Sequence, residues 1–126
     1  MEPRKWKNAN FRQALFHSLE GISYTFRKER NLKIQIVFML IALIFGVVLK
    51  LSFIEFAILS ITISLVIFAE LINTAIEVMM DLYSEDYNEK IKVVKDISSG
   101  AVLIVSIQAI VSGGLMFLPK ILELWW

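Results

Sequence analysis

Cysteine is absent from the 126 residues, so neither a disulfide nor a thiolate metal site holds this chain together. A single histidine, His17, excludes a multi-histidine metal centre within one subunit. The patterns of soluble nucleotide and zinc enzymes are missing as well. No G-x-x-x-x-G-K-[ST] loop, G-x-G-x-x-G turn or H-E-x-x-H helix occurs, which excludes phosphate-loop and protein-kinase chemistry. No internal repeat, low-complexity tract or second domain is visible, so residues 1–126 read as one domain. The charged amino terminus is not followed by a short apolar segment and small-residue cleavage site, so it does not read as a signal peptide. Charge itself is scarce only in places. The 13 Lys/Arg and 12 Asp/Glu gather mainly in residues 1–33, 81–96 and the last few positions. Long, nearly uncharged stretches separate these blocks. Hydrophobic residues reach 57%, above the roughly 45–50% of soluble domains. This is how a membrane protein reads.

A helix rises about 1.5 Å per residue and the hydrocarbon core is about 30 Å thick, so about 20 apolar residues cross it. Three segments qualify: residues 32–49, 53–80 and 97–118. Lys33 at the start of the first can snorkel to the interface. The second is longer than a span needs and should project beyond the lipid. Lys50, Leu51 and Ser52 leave room only for a tight turn, so the first two spans form a hairpin. Residues 10–28 predict an amphipathic helix, with Phe11, Leu15, Leu19, Ile22 and Phe26 recurring at steps of three and four. Basic and joined directly to a span, it should lie along the membrane surface. Eleven Lys/Arg (Arg4, Lys5, Lys7, Arg12, Arg27, Lys28, Arg30, Lys33, Lys90, Lys92 and Lys95) lie on one side of the spans and two (Lys50 and Lys120) on the other. The positive-inside rule then puts the amino terminus and the 81–96 loop in the cytoplasm. Trp125 and Trp126 anchor the carboxy terminus at the outer interface. The basic residues flank spans, and no nucleic-acid partner is expected.

Within the second span Glu70, Asn73 and Glu77 stand at i, i+3 and i+7, on one helix face. Glu70 lies about 25 Å along the helix from residue 53, near the inner edge of the hydrocarbon. Glu29, Lys95 and Asp96 sit at the same level at the ends of the other two spans. Three carboxylates, a carboxamide, a lysine and an aspartate from three parts of the chain thus occupy one layer. Paired carboxylates beside phosphates suit Mg²⁺, which prefers oxygen ligands and keeps part of its water shell. A carboxylate at the lipid boundary can accept the proton of a lipid hydroxyl, and a lysine can pair with a phosphate. An apolar substrate with a polar head presents its hydroxyl at this depth, while a nucleotide arrives from the cytoplasm. Such a layer suits phosphoryl transfer from ATP to a lipid alcohol. Intramembrane carboxylates also mark proton or ion pathways, but the outer halves of the spans offer mainly Ser60, Thr62, Ser64, Gln108 and Ser112. Asn73 alone could serve helix association, as in a non-enzymatic adaptor. Glu85 and Glu89 read as solvated loop residues.

The stretch AELINTAIEVMMDL (69–82), followed by VVKDISSGAVLI (93–104), resembles the prokaryotic diacylglycerol kinase family, whose Gram-positive members are undecaprenol kinases. The resemblance covers nearly the whole chain. It implies an all-α membrane protein with a surface helix and three transmembrane helices, assembled as a homotrimer with shared active sites. It implies bacterial inner or plasma membrane localisation. By this resemblance Glu70 is the catalytic base at the lipid hydroxyl. Glu29 and Glu77 are metal carboxylates that also meet the nucleotide. Asn73, Lys95 and Asp96 line the nucleotide region, and Ser99 lies near the lipid. Asp86 and Asn88 fall on a nucleotide-contacting segment that often reads E-Y-H; here Asp86-Tyr87-Asn88 replaces it. His17 falls where an aromatic residue can contact nucleotide. The E-R-N at Glu29–Asn31 is closer to the Gram-positive branch. Undecaprenol is therefore the expected substrate, diacylglycerol the alternative, and an ion-pathway subunit the rival from another class.

Overall fold

The computed structural model describes residues 7–125. Arg4, Lys5 and Trp126 of the expected flanking groups lie outside the described residues. Four helices follow in order: α1 (Phe11–Lys28), α2 (Arg30–Val48), α3 (Phe53–Tyr83) and α4 (Glu89–Trp125). No strand occurs among the described residues. The chain is all-α, and α2, α3 and α4 are each long and apolar enough to cross a membrane.

Local chemistry sets the ends of these helices. The Asn10 side chain accepts a bond from the Gln13 backbone N–H at 3.0 Å, while Gln13 Oε1 accepts from the Ala9 N–H at 2.8 Å. This reciprocal pair satisfies two donors that a helix start leaves free. Glu29 interrupts the run with extended backbone (φ −95°, ψ 112°), turning α1 away from α2. Ser52 caps α3 through the Glu55 N–H at 3.1 Å, and Glu55 in that first turn suits the positive helix end. Asn88 caps α4, its side-chain oxygen accepting from the N–H groups of Lys90 and Ile91. Glu89 lies in that helix's first turn rather than in a loop. The helix also runs past both ends of the expected 97–118 span, because a helix need not stop where the lipid does. It even continues through Pro119, at the cost of one backbone bond.

The turn between α2 and α3 is tight. Lys50 adopts φ 57°, and the Leu51 N–H returns to the Gly46 carbonyl at 3.0 Å. A Cβ on Gly46 would lie 3.0 Å from Phe56 and 3.1 Å from Leu51. Gly46→Leu should therefore prise the hairpin open and destabilise by about 1–3 kcal/mol. A lower thermal midpoint in detergent checks this; an unchanged midpoint would contradict the close packing.

Helices α3 and α4 run antiparallel and make the most extensive pairing. At one end Lys120 meets Glu55 at 3.4 Å, and at the other Lys95 meets Asp81 at 2.6 Å. Leu51, Leu59 and Met116 form a small apolar core near the hairpin, with Ala42, Phe56, Ile63 and Phe117 around it. Among the described residues six buried ones are apolar and seven are polar or charged, whereas Phe38, Ile44, Phe53, Ile61, Phe68, Ile104 and Ile110 are exposed. A water-soluble domain shows the reverse pattern. This inversion belongs to a bundle whose outer surface is covered by lipid or by other protein.

Candidate functional site

The buried polar residues Glu70, Asn73, Thr74 and Ser98 cluster on α3 and α4 toward the end of the bundle that joins α1. Glu70 is only 2% exposed. Its Oε1 accepts a hydrogen bond from Gln35 Nε2 of α2 at 2.8 Å. Glu29, from the break between α1 and α2, and Glu77, two turns along α3, lie within electrostatic reach of it. One turn from Glu70, Asn73 is buried. Its Oδ1 accepts from the Ser98 hydroxyl of α4 at 2.8 Å, and its Nδ2 donates to Glu77 Oε1 at 3.3 Å. The Ser98–Asn73–Glu77 chain fixes the Glu77 carboxylate from behind. A buried polar group is costly unless paired, so these bonds also tie α3 to its neighbours. Ser98→Ala should remove the donor to Asn73 and destabilise by about 0.5–2 kcal/mol. The check is the thermal midpoint of the purified protein, which should fall; no change would mean that Asn73 finds another partner at no cost.

The structure thus brings together Glu29, Glu70, Asn73 and Glu77. The other sequence candidates lie at the rim. Lys95 is held by Asp81 of α3, and Asp96 pairs with Lys92 one turn back at 2.5 Å. The Ser99 hydroxyl donates to the Asp96 carbonyl of its own helix at 3.1 Å. Asp86 is exposed in the α3–α4 loop, its N–H donating to Ser84 Oγ. Asn88 is occupied as a helix cap. His17 bonds to Glu20 on its own exposed helix face at 2.9 Å. Among the described residues no three His, Cys, Asp or Glu side chains come close enough to cage a metal by themselves.

Sequence reasoning missed three members of the site. Gln35 is the lone uncharged amide in the apolar run of α2, and that isolation was a usable signal. Ser98 shares a buried face of α4 with Ile91, whereas Ser99 is exposed, a difference the sequence does not reveal. Asp81 follows Glu77 by one turn, the spacing that continues the polar face. Beside Gln35 an apolar groove of about 410 Å³ runs between the three spanning helices to Phe117 at the far end.

A three-span helical bundle with a buried carboxylate, Glu70, toward one end defines a multi-pass membrane protein. Residues 16–117 match the family model of prokaryotic diacylglycerol kinase. The chain belongs to that family and is a lipid kinase. The match takes in every site residue named above. A search of curated proteins finds no match.

Proposed function

We propose that the protein transfers the γ-phosphate of ATP to the hydroxyl of a membrane lipid alcohol, undecaprenol in preference to diacylglycerol. The observation that carries this reading is Glu70, buried among the spanning helices, held by Gln35 and within electrostatic reach of Glu29 and Glu77. Glu70 takes the hydroxyl proton as the lipid oxygen attacks. A lipid tail lies in the apolar groove, whose polar end is marked by Gln35, and its head hydroxyl extends past that side chain to Glu70. The E-R-N at Glu29–Asn31 supports undecaprenol.

Glu29 and Glu77 fit a Mg²⁺ site. Mg²⁺ is usually held by one or two carboxylates plus substrate phosphates, with water completing the shell, so the lack of a three-residue cage does not count against it. When bound, the ion neutralises charge on the transferring phosphates. Asn73 orients Glu77. Lys95 exchanges Asp81 for a nucleotide phosphate, with Asp96 and Asp86 on the same nucleotide side, while Ser99 lies toward the lipid. The excess of Lys/Arg at this end supports a cytoplasmic position for it, at a bacterial plasma membrane with α1 along the surface. One subunit leaves both substrates poorly enclosed and many apolar side chains exposed; a homotrimer covers them and shares walls between sites.

Purified protein given Mg²⁺, radiolabelled ATP and a lipid alcohol in micelles should form labelled lipid. An ion-pathway subunit would instead give ion flux in liposomes without ATP and no labelled lipid.

A further inference from the structure

We infer that Gln35 is a positioning residue that serves Glu70 in both of its protonation states. Two observations meet at this side chain. Its Nε2 donates to Glu70 Oε1 at 2.8 Å, across from α2 to α3. Its own carbonyl oxygen, Oε1, is buried and has no hydrogen-bond partner. A buried acceptor left unpaired is unfavourable, and such groups in a folded protein are few and call for a reason.

The reason follows from how a carboxamide pairs with a carboxyl group. A carboxylate has no proton to give, so it can only accept, and the amide N–H is its one partner on Gln35. A carboxylic acid can also donate, and its O–H can reach the amide carbonyl. The first of these bonds is present; the second needs a proton on Glu70. This inference rests on the reading of Glu70 as base, which supplies that proton. In the transfer, the lipid O–H bond breaks and its proton goes to Glu70. The lipid oxygen forms a bond to the γ-phosphorus of ATP, the bond from that phosphorus to the β–γ bridging oxygen breaks, and ADP leaves. Glu70 is then a neutral acid, and its new O–H donates to the waiting Gln35 carbonyl. The same amide that holds the anion before transfer receives the acid after it. Gln35 touches neither the phosphoryl group nor the reacting oxygen; it acts through Glu70. Loss of the proton to water restores the resting pair.

Gln35→Met keeps the length of the side chain and removes both polar atoms. Its kcat should fall about 10- to 100-fold, as expected for bonds to a charged group at the reacting centre. The KM values for ATP and lipid should stay within about threefold, since the lost bonds are not bonds to substrate. Gln35→His, whose neutral imidazole offers both a donor and an acceptor, should recover part of kcat. The double variant with Glu70→Gln should be no slower than Glu70→Gln alone, because both substitutions remove one unit. Wild-type kcat in Gln35→Met, with Glu70→Gln inactive, would overturn the role of Gln35 and leave the base in place. An active Glu70→Gln would overturn the base itself. Equal losses in Gln35→Met and Gln35→His, tracking a lowered thermal midpoint, would reduce Gln35 to a helix-packing residue and overturn the inference.

Discussion

Glu70→Gln abolishes lipid phosphorylation: turnover falls by about 10²- to 10⁴-fold, the range of a general base, while the protein keeps its assembly. The amide is nearly isosteric with the carboxylate, and its carbonyl can still accept from Gln35 Nε2, which now bonds Glu70 at 2.8 Å. What it loses is the ability to take a proton. Initial rates with saturating ATP and lipid measure the first part, and the elution volume in size-exclusion chromatography measures the second. Turnover within a few-fold of wild type would remove Glu70 from the chemistry. A collapse of assembly would make it a packing residue instead.

Glu77→Gln has the second largest effect and a different signature. Glu77 Oε1 accepts from Asn73 Nδ2 at 3.3 Å, and its charge faces the layer shared with Glu29 and Glu70. Replacing the carboxylate should weaken the proposed Mg²⁺ site, which has Glu29 and Glu77 as its protein ligands. The Mg²⁺ concentration for half-maximal activity should rise by at least about 10- to 100-fold, the cost seen even for perturbing the outer partners of a metal site. Excess Mg²⁺ should return part of the activity, which no excess of metal does for Glu70→Gln. Glu29→Gln should behave alike. An unchanged Mg²⁺ requirement in both variants would mean that neither carboxylate meets the metal.

How much of this was legible beforehand depends on the distance over which each contact acts. The three spanning helices and their hairpin follow from long, charge-poor apolar stretches and from the short turn at Lys50, which are properties of contiguous residues. The common face of Glu70, Asn73 and Glu77 follows from helical period. Contacts between helices were out of reach. Nothing in one sequence says that Gln35 sits opposite Glu70, 35 positions away, or that Ser98 rather than Ser99 faces Asn73. Lys95 was read as lining the nucleotide region; its bond to Asp81, 14 positions earlier, was not visible. At the far end, Glu55 was passed over inside an apolar span; it pairs with Lys120 and caps the charge of both helix ends. The loop after α3 resolves a further point. Asn88 was assigned toward nucleotide, but its side chain starts α4, a local role that side-chain type and position could have revealed.

The central claim is that the carboxylate layer around Glu70 phosphorylates a polyprenol. The most direct measurement gives the purified protein radiolabelled ATP and Mg²⁺ with undecaprenol and diacylglycerol in the same micelles, beside the Glu70→Gln variant. The predicted result is label chiefly in undecaprenyl phosphate for the wild type and in neither lipid for the variant. Label chiefly in phosphatidic acid would contradict the substrate, and label in neither lipid with the wild type would contradict the site.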